Sequence, residues 1–320
     1  MKRIDELLNE LNKVEEKDQI PILIKLTNLN LTTNSLKAFE YAEKARELSV
    51  KLKTPKAEAD SLRYIAILKY INGDYKESLK YSEESLIISK KLNYLKGICI
   101  ALSFKSKSYL QLGESDKSIK LLFEALKLAE GLNDENITSK ILTEIAKNYI
   151  SVKEYSRAEK NLLKVKKTRE KQNNLLELCV VLNFIGKVEF EQKKFSGSRK
   201  FASEAFEIAK KIDNHEQLLT TINNLGAILT SEGKYREGLE KYSECLNLIK
   251  KKHPNNLMMG YLLCNIAKAN VEIGQLTKAE YFMQQSMKIA RKIESKKMII
   301  LNLETMEKLA IKQQDYQKAY

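Results

Sequence analysis

Residues 223–246 read NNLGAILTSEGKYREGLEKYSECL, two helix-like stretches hinged at Gly233. Three glycines stand here, at 226, 233 and 238, and two of them fall inside the apparent helices. A glycine in a helix interior costs about 0.5–1 kcal/mol relative to alanine. A helical pair that accepts this twice needs a compensating gain, and the rest of the chain shows what it is.

The same turn recurs. INGDYKESLKYSEESL (71–86), QLGESDKSIKLLFEAL (111–126), SVKEYSRAEKNLLKV (151–165), QKKFSGSRKFASEAF (192–206), EIGQLTKAEYFMQQSM (272–287) and the final KQQDYQKAY (312–320) align with SEGKYREGLEKYSECL (231–246). Their turn positions are Gly73, Gly113, Lys153, Lys193, Gly233, Gly274 and Gln314, spaced by 40 residues except for one step of 41. One period further back lies Thr33, so the chain comprises about eight repeats, and the extra residue fits the stretch KKHPNN at 251–256. A fixed period of this length is the mark of a repeat array.

Three columns hold small residues. Five positions past the turn stand Ala38, Ser78, Ser118, Ala158, Ser198, Gly238, Ala279 and Ala319; twelve past it stand Ala45, Ser85, Ala125, Val165, Ala205, Cys245 and Ser286. Seven before it stand Ala66, Ser106, Ala146, Gly186, Gly226 and Ala267, with Leu26 and Glu307 departing at the two ends. Two helices of a hairpin approach closely only where side chains are small, so Gly226 and Gly238 read as packing residues. The aromatic two past the turn (Tyr75, Tyr155, Phe195, Tyr235, Tyr316) is expected to fill the hole they leave.

These columns resemble the tetratricopeptide repeat: small residues before the turn, Gly-Asp/Lys-Tyr at it, small residues beyond. The resemblance covers residues 15–320. Its departure is length, 40 residues against the usual 34 or so. It implies an all-α fold, a right-handed superhelical solenoid of antiparallel helix pairs stacked in one dimension. Repeats of this length are similar to the sensory or scaffold parts of bacterial regulators. The domain reading is an N-terminal capping helix within residues 1–16, its Ile4, Leu7, Leu8 and Leu11 on one face, then the solenoid over 17–320 with turns near 33, 73, 113, 153, 193, 233, 274 and 314. The last repeat is truncated early in its second helix. A solenoid needs a polar terminal cap, so the chain reads as the N-terminal part of a longer polypeptide, with an output domain expected beyond residue 320.

Hydrophobic residues make up 43% and charged residues 31%, with only 3 prolines and 11 glycines. That balance suits a folded helical protein and leaves no room for the turns of an all-β one. No apolar run approaches the roughly 18 residues that span a bilayer, and the start lacks the apolar stretch of a signal peptide. The expected compartment is the cytoplasm. Cys99, Cys179, Cys245 and Cys264 lie far apart with no histidine near, as small buried thiols do. The net charge of +14 is nearly all lysine and gathers where helices end, as at Lys90-Lys91, Lys210-Lys211, Lys250 to Lys252 and Arg291-Lys292. Cations there complement the helix dipole.

Little in the chain points to chemistry. His215 and His253 are nearly a repeat apart without ligand-spaced partners, so no metal is expected. No HExxH, GxxxxGK(S/T) or GxGxxG occurs. Ser196-Gly197-Ser198 lacks the strand–turn–helix setting of a nucleophile elbow. The chain reads as a non-enzyme without cofactor.

In the resembled fold the first helix of each repeat lines a groove, and the residue six before the turn points into it. Here that column reads Lys107, Lys147, Lys187, Ala227, Lys268 and Lys308. Four residues earlier, on the same helical face, come Ser103, Thr143, Asn183, Asn223, Cys264 and Glu304. Two readings stay open: lysine is simply the commonest surface residue, or Lys107, Lys147, Lys187, Lys268 and Lys308 with Thr143, Asn183 and Asn223 hold a partner. The resemblance implies that lysine and asparagine at such positions bind acidic side chains or the free C-terminal carboxylate of a peptide. Helices pack about 8–10 Å apart and an extended peptide advances about 3.3 Å per residue, so acids three apart meet successive lysines.

The leading reading is a non-catalytic protein- or peptide-binding scaffold, the sensing or docking part of a cytoplasmic bacterial regulator. The alternative is a receptor for a short signalling peptide; such regulators carry an N-terminal DNA-binding or helical-bundle domain, whereas this chain opens almost directly with repeats. Nucleic-acid binding stands third, since aromatic residues do not interleave with the lysines as stacking platforms do. No membrane partner is expected.

Overall fold

The computed structural model describes residues 2–31, 34–250, 256–292 and 296–314. Thr33, His253, Tyr316 and Ala319, singled out above, lie outside them. Among the described residues sixteen helices follow one another. The first eight are α1 (Lys2–Leu11), α2 (Glu16–Asn30), α3 (Ser35–Lys51), α4 (Pro55–Ile71), α5 (Tyr75–Lys91), α6 (Leu95–Gln111), α7 (Ser115–Gly131) and α8 (Glu135–Ser151). Then come α9 (Tyr155–Lys171), α10 (Leu175–Glu191), α11 (Phe195–Lys211), α12 (His215–Ser231), α13 (Tyr235–Lys250), α14 (Asn256–Glu272), α15 (Leu276–Lys292) and α16 (Lys296–Lys312).

The connections set the beat. Every foreseen turn residue that is described has a left-handed backbone: Gly73 (φ 88°), Gly113 (83°), Lys153 (62°), Lys193 (60°), Gly233 (80°), Gly274 (76°) and Gln314 (59°). Lys53, Asn93, Asn133, Asn173 and Asp213, midway between, do the same with φ between 49° and 52°. From α3 to α12 the pulse is therefore half the expected one: 17 residues of helix, then three of turn. Each turn closes one helix and opens the next. Gly73 N–H donates to Tyr70 O (3.1 Å) and Asp74 N–H to Lys69 O (2.9 Å), the double bond of a left-handed C-cap. The Asp74 carboxylate then accepts from Glu77 N–H (3.3 Å) as N-cap of α5. Asn34, Asp134, Asn174 and Asn214 cap α3, α8, α10 and α12 likewise.

The chain divides into two compact units, residues 1–161 and 162–320. In the first, α2, α4, α6 and α8 each pack against the next of the set; in the second, α10, α12, α14 and α16 do. Among the described residues no two successive odd-numbered helices bring their Cα atoms within 8 Å, and they meet through long side chains, as in Arg46–Glu84 (3.9 Å) and Lys90–Glu124 (3.6 Å). Each unit therefore bends with its even-numbered helices on the inner side. In the first unit Leu7 and Leu11 of α1 are buried with Ile22, Leu23, Leu26 and Ala45, with Ile4 and Leu8 at the margin. No described helix is long and apolar enough to cross a membrane.

The small columns meet inside the hairpins, and all their described members are buried. Near the turn, Ser78 Oγ donates to Ala66 O (2.9 Å), Ser118 to Ser106 O (2.7 Å) and Ser198 to Gly186 O (2.8 Å). Toward the open end, Ser85 reaches Ala59 O and Ser286 reaches Gly260 O, both at 2.8 Å. Three cysteines play the same part: Cys99 on Ala125 O (3.6 Å), Cys179 on Ala205 O (3.2 Å) and Cys245 on Leu219 O (3.6 Å). All four thiols are free and buried. Burial pushes Cys99 and Cys179 up to about 11 and Cys245 up to about 12.

The two helical glycines are contact points. A Cβ on Gly238 would lie 2.4 Å from Thr230 Cγ2 and 3.1 Å from Gly226 O; one on Gly226 would collide with the ring of Tyr242. Tyr242, 1% exposed, fills that space. This corrects the expectation for the aromatic two past the turn. Tyr75 and Phe195 instead meet Tyr70 and Phe190 of the preceding helix, ring centroids 5.6 and 5.9 Å apart. A helical side chain leans toward the N-terminus of its own helix. An aromatic two past the turn therefore leans into the turn, whereas Tyr242, seven residues further on, leans back to the level where Gly226 faces Gly238.

Candidate functional site

The candidate surface is the inner face of the even-numbered helices, and the two units line it differently. In residues 1–161 the lining is charged and aromatic. Arg63 sits 3.3 Å from Asp60 and 4.4 Å over the Tyr64 ring. Lys107 Nζ lies 4.5 Å from the Phe104 ring. The column lysines Lys107 and Lys147 both reach Glu144 Oε1, at 3.2 and 2.8 Å. Burial alone would raise the Glu144 carboxyl, but the two ammonium groups outweigh it and hold the acid down at about 2. Thr143 donates its hydroxyl to Ser139 O of its own helix (2.9 Å).

In residues 162–320 the lining is an amide ladder. Asn224 Nδ2 of α12 donates to Asn183 Oδ1 of α10 (3.0 Å), and Asn265 Nδ2 of α14 donates to Asn223 Oδ1 of α12 (3.1 Å). Cys264 of α14 and Thr305 of α16 continue it, sulfur to oxygen 3.8 Å. Each rung joins the residue ten before one turn to the residue nine before the next. Asn183 Nδ2 also donates to Cys179 O (3.2 Å), which fixes the side chain against its own helix. An asparagine amide has two donors and a two-lone-pair acceptor, so each rung uses only part of its capacity. Lys187 and Lys308 are exposed and Lys268 is half-buried.

Asn183 and Asn223 are thus brought together with two residues the sequence reading missed, Asn224 and Asn265. Glu144 was missed too. All three stand nine before the turn, one residue beyond the column considered. The Asn223-Asn224 pair inside a helix was a usable signal, because asparagine is a poor helix former. Among the described residues no cluster of histidine, cysteine and carboxylate has the makings of a metal site.

Comparison with known proteins gives the fold a relation. A model of the tetratricopeptide repeat matches residues 177–251 and 217–292. No curated protein matches the chain significantly. A Rap protein complexed with competence and sporulation factor is similar in structure, with a TM-score of 0.77 at 15% identity over 91% of this chain and 80% of that one. The apo form of RapI gives 0.66 at 16% identity over 86% and 99%. The Rap conjugation gene regulator of plasmid pLS20, in complex with a Phr peptide, gives 0.64 at 14% identity over 86% and 74%. At such identities the likeness is one of fold. With its forty-residue grammar, a repeat match confined to residues 177–292 and this shared architecture, the chain has the fold of a tetratricopeptide-type helical repeat array.

Proposed function

We propose that the protein is a non-catalytic scaffold that holds a short peptide or an extended protein segment along its inner helices, as the sensing or docking part of a cytoplasmic bacterial regulator. The amide ladder of residues 162–320 carries this reading. Side-chain amides ranked along an inner face match the alternating N–H and C=O groups of an extended main chain, which needs partners in any dry groove. Two of the similar Rap structures hold a signalling factor or peptide, which supports the narrower reading of a signalling-peptide receptor. Lys187, Lys268 and Lys308 on the same helices add attraction for acidic side chains or a terminal carboxylate.

The test is a fluorescence-polarisation screen of the full chain against a library of labelled short linear peptides. Captured peptides are expected to lose at least about tenfold in affinity with N224A or N265A, the loss of one or two buried hydrogen bonds to a ligand, while melting temperature stays near wild type. Capture that persists unchanged in both variants and in K268E refutes the inner face as the binding surface.

A further inference from the structure

If Lys107 and Lys147 were open to a ligand's acid, the space between them would be vacant, and it is not. We propose that Glu144 is a resident substitute for a ligand carboxylate, a self-occupying contact that closes the inner face of residues 1–161 to acidic groups. This rests on the inner face being the binding surface. One oxygen, Glu144 Oε1, is shared by Lys107 Nζ from α6 (3.2 Å) and Lys147 Nζ from its own α8 (2.8 Å). Ammonium groups of two successive repeats thus converge on a single acid, as they would on an acidic side chain laid across them. The contact is sheltered: Glu144 is 8% exposed and both lysines are half-buried. Phe104, 4.5 Å from Lys107 Nζ, further restricts that ammonium.

An incoming carboxylate therefore meets charges that are already matched. To reach the lysines it must displace Glu144, and Glu144 cannot withdraw without leaving a buried anion unpaired. A neutral or aromatic ligand group meets no such obstacle beside Tyr64 and Phe104. In residues 162–320 the same phase holds Phe184, Asn224, Asn265 and Thr305, none of them acidic. The two units thereby treat an acidic ligand group differently, and Glu144 is the residue that makes the difference.

Fluorescein-labelled hexaglutamate is the probe, titrated by polarisation at low salt into the full chain. E144Q is expected to tighten binding about tenfold, the effect of removing one charge about 3–4 Å from the site at intermediate dielectric. The gain should vanish in E144Q/K107Q/K147Q, and E144D, which keeps the charge, should bind as wild type. E144Q that melts normally and does not tighten overturns the proposal, as does E144D tightening equally. K147Q leaves Glu144 its Lys107 partner and gives a reading that does not depend on E144Q folding. K147Q is expected to weaken binding no more than K153Q, which removes the same charge at an exposed turn; a loss more than about threefold beyond that of K153Q shows Lys147 already open to acids and ends the proposal. The change in hexaglutamate affinity on E144Q, absent from E144Q/K107Q/K147Q, reads the lysine pair, whereas library peptides in N224A and N265A read the amide ladder, so either idea can fail without the other.

Discussion

Gly226 of α12 is the seat of the Tyr242 ring of α13: a Cβ at 226 would lie 2.5 Å from Tyr242 Cε1 and 2.7 Å from Cδ1. The contact is with the body of the ring, not a flexible tip, and the hydroxyl beyond it stands 3.5 Å from Thr230 Oγ1. Leu122 and Leu162 hold the Tyr242 phase in other repeats, so ring and glycine form a matched exception.

Gly226→Ala is expected to destabilise by about 1–3 kcal/mol through overpacking, although alanine is the better helix former by about 1 kcal/mol. Tyr242→Leu should relieve it, giving a coupling energy above about 1 kcal/mol in a double-mutant cycle read by urea unfolding. Gly131, near the end of α7, has nothing within 4 Å of where a Cβ would be. Gly131→Ala should therefore stabilise by about 0.5–1 kcal/mol. Equal responses at the two glycines contradict the packing account.

Lys153 and Lys193 take left-handed turn positions that other repeats give to glycine. A side chain in that region costs about 1–2 kcal/mol, part of which glycine returns as unfolded-state entropy. Lys153→Gly and Lys193→Gly are each expected to raise stability by about 0.5 kcal/mol. An unchanged or lowered denaturation midpoint counts against strain at these turns.

Glu144 makes stability acid-sensitive in a defined window. Its folded carboxyl titrates at about 2, below the ordinary 4.5. The contribution is thus fully present above pH 4.5 and is lost as pH falls toward 2. A depression of this size corresponds to up to about 3 kcal/mol. Urea midpoints measured down through this range should fall less steeply for E144Q than for wild type; parallel curves dismiss the ion pair as a stabilising element.

The cysteines should be inert in the native state. Their thiols are buried and, by burial, held well above neutral pH, and the thiolate is the reactive form. A thiol-specific reagent at pH 8 is expected to label none of the four before unfolding and all of them after it. Prompt labelling of Cys99 or Cys179 in folded protein is the opposing result.

The hairpins were legible in the sequence because close packing selects small residues: Ala66, Ser106, Gly226 and Gly238 stand out by having small side chains or none. The second set of turns was legible too, since Asn93, Asn133 and Asn173 are residues that tolerate a left-handed backbone, but glycine's stronger signal marks only turns of the first set. Tyr242 was hidden because reach depends on side-chain lean, which spacing alone does not encode. The groove was harder still. Lys107 and Lys147 could be placed on one face, but that a carboxylate three residues before Lys147 bridges them, and that Asn224 rather than Ala227 faces Asn183, depends on the stagger between neighbouring repeats, and no single helix records that.

Because every connection from Lys53 to Gly233 has the same three-residue form, a seam can be cut at one and closed at another. Removing residues 94–133 would set Asn93 before Asp134, rejoining α5 to α8 through Leu92-Asn93-Asp134, a linkage of the kind both ends already make. Length is then an editable property: recombination can add or delete a forty-residue link without inventing a new joint. The length of inner face such a protein presents would grow or shrink with the number of links.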